Sequence, residues 1–583
     1  MNELNMIKRL LPYLKGYKKQ AILAPVLVAL ETICALILPL LMAEIIDNGI
    51  VNSNMPVILK LGALMLVVAA IAMYCGVLSS KNASFAAQGL GYNIRQAEFE
   101  RLNAFSFADI DRFSSASLIT RMTNDVTNIQ NVVALSLRLL VRSGVMLVSS
   151  LAVALYIKWQ LALILLVTVP IISLFIGVLM KVCMGLFRVM QHRLDDLNET
   201  VQENLVGIRV VKSYVREEHE KTKFKVSNDA FTQSGLNVSL RIILMQPLMM
   251  IGISSATVLI LYFGGKMVLT GDLEIGLLTS LINYVMMVLM SVIMVAMCLL
   301  QYTRARACAQ RIFEVIDTVS DIQDGSAPTL PEKTGRVAFQ DVSFKYNATG
   351  SGDDVLTHIS FATEPGQVVA VIGGTGQGKS TLVNLIPRFY DVTEGKILVD
   401  GMDVRDYPLD DLRKRVGMVP QGNILFSGTI RENLLWGDET ATEEEMIQAA
   451  KDAQAYHFIM SFPDGFDTHL EQGGVNVSGG QKQRLCIARA MLRKPSILIL
   501  DDATSAVDSD TETLIRESFH TNLKHTTVFI IAQRISSVQE ADQIVILDDG
   551  SVADIGTHDQ LMAESKIYQE IYYSQLKGGA DHG

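Results

Sequence analysis

The chain has 583 residues, a formal net charge of −10, 50% hydrophobic residues and a mean hydropathy of +0.31. Such a length exceeds one ordinary domain, and such a hydropathy exceeds that of a soluble enzyme, so a membrane portion is expected. The acidic balance, with a pI near 5.5, disfavours a phosphate-backbone binder, and nucleic acid is not an expected partner.

In chain order, six apolar stretches come first, over 21–45, 57–78, 132–157, 161–182, 242–263 and 276–299. Each is near or above the roughly 20 residues that span a bilayer as a helix. Pro25, Pro39, Pro170 and Pro247 fall inside them, which is tolerable where neighbouring helices satisfy the freed carbonyls. The first run is too long for a signal peptide and lacks a small-residue cleavage site, so it is expected to remain as a spanning helix. Lys8, Arg9, Lys15, Lys18 and Lys19 precede it, whereas Asp47 to Pro56 after it carries no Lys or Arg. That asymmetry predicts a cytoplasmic N-terminus and a multi-pass protein of the cell (inner or plasma) membrane, in contact with lipid. The polar segments between spans two and three and between spans four and five are also rich in Lys and Arg. They belong on the same side, and their helical patterning predicts long cytoplasmic extensions of the membrane helices.

Within the spans, Met287, Met290, Met294 and Met297 recur at three- and four-residue spacing. The stripe reads either as helix packing or as an adaptable wall for apolar ligands. Arg138 and Arg142 lie one turn apart in span three and Glu31 lies in span one. The arginines read as snorkelling side chains or as contacts for anions, and Glu31 as a helix partner or an attractor of cations. The six cysteines show no metal-ligand spacing and fall in membrane or cytoplasmic segments. Neither a disulfide framework nor a zinc site is supported.

The stretch Thr318 to Gly335, with Pro328-Thr329-Leu330-Pro331, reads as a linker. The expected division is a membrane domain over 1–318, a linker over 319–335 and a second domain over 336–583. In that second domain, Gly373-Gly374-Thr375-Gly376-Gln377-Gly378-Lys379-Ser380 completes a P-loop between the apolar run 368–372 and the apolar-rich segment beginning at Thr381. Strand, glycine loop and helix are in the required order. The glycines turn backbone N–H groups toward phosphates, Lys379 reaches the outer phosphates, and the Ser380 hydroxyl is placed to ligate Mg²⁺. Further on, Ile497-Leu498-Ile499-Leu500-Asp501 reads as a buried strand ending in a Mg²⁺-holding carboxylate, the Walker B role. ATP and Mg²⁺ are the expected ligands.

Between those motifs stands Val477-Ser478-Gly479-Gly480-Gln481-Lys482-Gln483-Arg484, the signature of ABC transporters. The chain resembles, over nearly its full length, one half of a bacterial multidrug-type ABC exporter. The resemblance implies a type I exporter fold: six transmembrane helices with long cytoplasmic extensions, fused to an α/β P-loop nucleotide-binding domain. It makes Tyr346 the adenine-stacking residue, Gln421 the Q-loop glutamine that joins Ser380 and Asp501 around the metal, and Ser505 to Asp508 the D-loop. It places Thr381 in the nucleotide loop and short coupling helices near 109–114 and 213–220. In this family ATP lies between the P-loop of one cassette and the signature of another, so Ser478, Gly479, Gly480 and Gln481 are expected to cap a partner's nucleotide.

Two residues depart from the pattern. The family places Glu after the Walker B Asp and His at the switch position, and here these are Asp502 and Gln533. Asp is one methylene shorter, and a misplacement of about 1 Å can cost about a hundredfold in rate. An amide cannot exchange a proton near neutral pH, and positioned acid–base groups contribute about 10²–10⁴ in rate. The expectation is a nucleotide site that binds well and cuts poorly. A heterodimer follows, with a second half-transporter carrying the Glu and the His, and with a small amphiphilic cargo. A regulatory membrane subunit and a slow homodimeric lipid or peptide exporter are the alternatives.

Overall fold

The computed structural model describes residues 3–327, 329–346, 354–502, 507–532 and 535–580. It divides into two compact units: Met1–Asn103 with Ser115–Thr318, and Ala104–Ser114 with Val319–Gly583.

The first unit is helical. Among the described residues, five helical runs are long and apolar enough to cross a membrane: Lys18–Ile50, Met55–Asn103, Ser115–Val206, Glu217–Leu269 and Ile275–Cys298. Two of the six expected stretches, 132–157 and 161–182, fall in one of these runs, where helical geometry breaks at Lys158 (φ −158°, ψ 103°). Leu66, Met73, Val148 and Leu174 are each more than two-thirds exposed, an arrangement that suits hydrocarbon as the surrounding solvent.

Polar contacts and small residues join the helices. Ser79 Oγ donates to Ala24 O at 2.9 Å, and the fully buried Tyr284 donates to Leu36 O at 2.7 Å. At Gly252 an added Cβ would meet the Ile172 side chain at 2.5 Å; the glycine permits that close helix approach.

The helix Met55–Asn103 has 49 residues, about 74 Å at 1.5 Å per residue, against a hydrocarbon core of about 30 Å. More than half of it therefore projects beyond the bilayer. In that projection Leu90 and Ile94 pack with Met6, Val126, Ile129 and Ile312. Beside them Arg311 Nε bonds Asp125 Oδ2 at 2.7 Å. Glu98 is fully buried there with no hydrogen bond to either carboxyl oxygen among the described residues. Burial first, and the nearby Asp125 charge second, push its pKa from 4.5 up to about 8.

Short helices occur at Phe107–Phe113 and Ile208–Ser213. The first starts at a capping box, with Ser106 and Asp109 bonding each other's backbone N–H. The second lies before the expected segment 213–220, which straddles a turn. Val215 has φ 52°, and Glu217, Glu218 and Glu220 open the next helix, where negative charge suits the positive end of the dipole.

The second unit is α/β. Its strands begin with β1 (Val337–Phe344), β2 (Leu356–Ala362), β3 (Val368–Gly373), β4 (Glu394–Val399), β5 (Met402–Asp403) and β6 (Val416–Val419). There follow β7 (Gly428–Thr429), β8 (His469–Leu470), β9 (Ile497–Asp501), β10 (Thr527–Ile531), β11 (Gln543–Asp548) and β12 (Ser551–Gly556). One sheet runs β2-β1-β4-β5, the main sheet β12-β11-β3-β10-β9-β6, and β7 pairs β8. From β11 to β6 the main sheet is parallel. Parallel sheets are covered on both faces, and β3, β9 and β10 are accordingly almost wholly buried. The register aligns Val371 with Ile531 and Ile531 with Asp501, so β3, β10 and β9 end side by side. The segment 319–335 runs against this unit. Arg415, paired with Asp400 at 2.6 Å where both side chains are buried, also donates to Pro331 O at 2.7 Å and Glu332 O at 3.3 Å.

Candidate functional site

The site forms at the carboxyl ends of the parallel strands, where open α/β sheets place their ligands. From β3 the chain enters the glycine loop, in which Gly373, Gly376 and Gly378 have φ of 155°, 85° and 85°. The last two lie in the left-handed region, open to glycine at little cost. The helix Lys379–Asn384 follows with Gly378 at its N-cap, so unpaired backbone N–H groups and the positive end of a helix face one space.

Lys379 Nζ lies 2.9 Å from Gly373 O and 2.6 Å from Gly374 O, folded back over the loop that it is to serve. Burial pushes its pKa down from 10.5, and the charges of Asp501 and Asp502 oppose that shift. Ser380 Oγ donates to Asp501 Oδ1 at 2.9 Å. Asp501 is 5% exposed, and burial raises its pKa; the Ser380 bond lowers it and the Asp502 charge raises it further. A hydroxyl and a carboxylate in contact are a hard-oxygen donor set that fits Mg²⁺.

Asp502 is half-buried beside these groups. Its N–H donates to Ile531 O at 3.1 Å, which ties it to β10, and its φ is 52°. Asp is among the non-glycine residues that enter this region most readily. Gln533 lies outside the described residues, as do Ser505 and Ala506 of the D-loop.

Tyr346 is 48% exposed. Its hydroxyl is 2.8 Å from Thr381 Oγ1, and its ring meets those of Phe344 and Tyr390 edge-on at 5.0 and 5.2 Å. A partly open face is thus held upright next to the loop. Thr381, in the helix that follows the glycine loop, is thereby linked to Tyr346.

One contact of the loop and two beside Tyr346 are not marked by the motif. Gln377 Nε2 donates to Asp548 Oδ1 at 2.8 Å, because β11 pairs with β3 and brings Leu547 opposite Gly373. The signal for Asp548 is the carboxylate after the apolar run 544–547. Tyr390 is also tied to Asp111 at 2.9 Å, while Phe107 stacks on Phe389 at 4.3 Å.

Other expected residues stand apart from the loop. Gln421 is exposed after β6, with no hydrogen bond among the described residues. Ser478 caps the helix Gly479–Leu492 in a capping box with Gln481, and Ser478 and Gly479 are exposed. Asp508 caps the helix Ser509–Asn522 by accepting from Thr511 N at 2.9 Å, and that backbone bond chiefly lowers its pKa. None of these residues hydrogen-bonds the loop among the described residues.

In the membrane unit, Glu31 Oε1 pairs with Arg142 at 3.0 Å. Met290 and Met297 are about half exposed, whereas Met287 and Met294 are partly buried.

The comparisons with known proteins agree with this picture. Residues 21–292 match the family described as the ABC transporter transmembrane region, and residues 356–505 match the ABC transporter family. The "Uncharacterized ABC transporter ATP-binding protein YfiB" of Bacillus subtilis (strain 168) is 38% identical over 98% of this chain and 99% of its own length. A "Putative multidrug export ATP-binding/permease protein" of Staphylococcus aureus (strain NCTC 8325 / PS 47) is 33% identical over 98% and 100%. A solved structure, that of a bacterial Atm1-family ABC exporter with ATP bound, superposes with a TM-score of 0.79 at 24% identity, covering 96% of this chain and 98% of that one.

Proposed function

We propose, from the premise that this chain belongs to the ABC transporter family and joins a multi-pass membrane region to an ABC ATPase domain, that it is one half of a heterodimeric, ATP-driven exporter. Its cargo is an amphiphilic or hydrophobic compound, a reading favoured by the multidrug export name of the Staphylococcus aureus relative. The proposed layout is a membrane domain of six spans over 1–318, a linker over 319–335 and a cytoplasmic nucleotide-binding domain over 336–583.

The observation that carries the reading is the Lys379, Ser380 and Asp501 cluster with Asp502 beside it. ATP binding moves Lys379 from the carbonyls of Gly373 and Gly374 to the outer phosphates, where a charge-assisted bond replaces two neutral acceptors. The loop N–H groups take the remaining phosphate oxygens, and Tyr346 offers its ring to the base. Ser380 and Asp501, with Gln421, supply oxygen ligands for Mg²⁺, whose contribution when bound is to neutralise charge on the phosphates. Asp502 occupies the position that orients and deprotonates the attacking water, with too short a reach, and Gln533 supplies no titratable group at the switch. This site is a long-lived ATP clamp. Ser478 to Gln481, intact and with Ser478 and Gly479 exposed, cap the nucleotide held by a partner whose Walker B Glu and switch His do the cutting. Nucleotide-driven closure is passed to the membrane helices through Phe107–Phe113 and Ile208–Ser213.

Vesicles containing both halves test the reading. ATP-dependent uphill efflux of an amphiphilic dye is expected, lost when the partner's Walker B Glu is replaced and largely kept with Asp502→Ala. Nucleotide binding with no gradient in any vesicle would instead identify a regulatory subunit.

A further inference from the structure

The membrane unit holds a polar cavity of about 490 Å³. It is lined by Glu31 of the first long helix, Ser84 of the second, Asn131, Arg138 and Arg142 of the run 115–206, and Gln301 of the helix Ile275–Asp317. Four helical runs thus place three charged groups and three neutral hydrogen-bonding groups around one space, against apolar neighbours such as Val28 and Leu139.

Its charge is unbalanced. Glu31 pairs with Arg142 at 3.0 Å, while Arg138 has neither an ion pair nor a hydrogen bond among the described residues. Two guanidiniums face one carboxylate. Among the described residues Arg142 Nε is buried without an acceptor, and a buried donor without a partner is costly. Glu31 is itself seated closely: an added Cβ at Gly76 would lie 3.1 Å from its carboxyl carbon. The pair fixes Arg142 and leaves Arg138 available.

The backbone is also unusual here. Ser136–Leu140, which contains Arg138, forms a π-helical turn, an uncommon geometry found frequently at functional sites. An unpaired cation in an apolar helical bundle is expensive, and such residues mark ligand paths. Snorkelling to water would satisfy Arg138 alone; it accounts neither for the buried Arg142 Nε nor for the convergence of Ser84, Asn131 and Gln301 on the same space.

We infer that this cavity binds the anionic headgroup, phosphate or carboxylate, of an amphiphile in the cytoplasmic leaflet. Arg138 is the free contact, Arg142 is the contact held in place by Glu31, and the neutral side chains complete the bonding. This rests on the exporter reading and narrows its cargo: Glu31 is neutralised by Arg142, so the cavity favours anions over cations. The same chemistry serves a resident membrane lipid or a transported anionic amphiphile.

The test uses the full-length chain purified in a neutral maltoside detergent, with fluorescent phosphatidylglycerol and phosphatidylcholine as probes and dodecyl phosphate as competitor. Phosphatidylglycerol is expected to bind more tightly than phosphatidylcholine. Arg138→Gln removes a charge-assisted contact and weakens phosphatidylglycerol binding by roughly tenfold or more, and Arg138→Lys recovers much of it. Displacement of phosphatidylglycerol by dodecyl phosphate points to a single-chain cargo, and resistance to displacement points to a bilayer lipid. Equal binding of the two phospholipids, or unchanged binding in Arg138→Gln, would overturn the inference. ATP binding is followed in the same samples; if it persists while headgroup selectivity is absent, the cavity assignment fails and the exporter reading stands.

Discussion

The glycine loop at 373–381 and the signature at 478–481 are both helix N-termini built from glycine and a hydroxyl residue, yet they are held in opposite ways. At the loop, Ser380 bonds Asp501, Lys379 folds onto two carbonyls, Gln377 reaches Asp548 and Tyr346 reaches Thr381. At the signature, the Ser478 and Gln481 side chains bond each other's backbone, and Ser478 and Gly479 face outward. The loop is assembled from the ends of β3, β9 and β11, Tyr346 just beyond β1, and the helix Lys379–Asn384 of its own domain. The signature is a preformed, capped helix start with an exposed edge. Under the proposed function, a chain with one of each has the parts of two composite sites and completes neither.

The comparison breaks most visibly at the two departures from the family pattern. Asp502→Glu combined with Gln533→His should raise the turnover of the chain alone by about 10²–10⁴, the usual worth of positioned acid–base groups, as measured by phosphate release. No increase would mean that something other than those side chains limits the site.

Separating the two regions sharpens it further. Lys379→Ala should weaken the chain's own ATP binding by roughly 10- to 100-fold, as expected for losing a charged hydrogen-bond donor, measured by equilibrium titration. Ser478→Arg should leave that binding unchanged while reducing turnover of the assembled pair. Equal effects of the two variants on ATP binding would erase the distinction drawn here.

Glu98, in the helical unit, provides a control. The apolar stretch 57–78 ends about 30 Å before it along the helix, so it stands beyond the bilayer. Its folded pKa of about 8 lies above the ordinary 4.5. Between those values the native state holds a proton that the unfolded chain has lost, so this group's contribution makes stability fall as pH rises through that window, by up to about 1.4 kcal/mol per pH unit. Thermal unfolding from pH 5 to 8 should show Glu98→Gln losing part of that slope, with its advantage over the parent greatest at pH 8. ATP binding should not change.

The smallest effect belongs to Tyr346→Phe. It deletes the 2.8 Å bond to Thr381 but keeps the aromatic face, so ATP affinity should fall by only about 2- to 10-fold. A larger loss in the same titration would make the hydroxyl, rather than the ring, the main contribution.

The loop was legible because each of its residues is required locally: glycine where φ is positive, Lys and Ser where a helix begins, and a carboxylate at the end of an apolar strand. Asp548 was not, since its contact with Gln377 spans 171 positions and arises only from the β11 and β3 pairing. Nor was the Glu31 and Arg142 pair, because charges on separate helices reveal nothing of their mutual orientation. The break at Lys158 falls at the expected boundary between the stretches 132–157 and 161–182, because a short polar turn between apolar stretches shows in hydropathy, though not with its backbone geometry. The second short helix came earlier than expected because Val215, a β-branched residue that disfavours positive φ, nevertheless turns the chain before Glu217.

The most direct measurement is ATP binding and ATP turnover on one preparation of the purified chain without a partner. The account predicts saturable, Lys379-dependent binding with turnover no more than about a hundredth of that reached when a partner with Walker B Glu and switch His is added. Robust turnover by the chain alone, abolished by Asp502→Ala, would contradict it and make this protein a self-sufficient homodimeric ATPase.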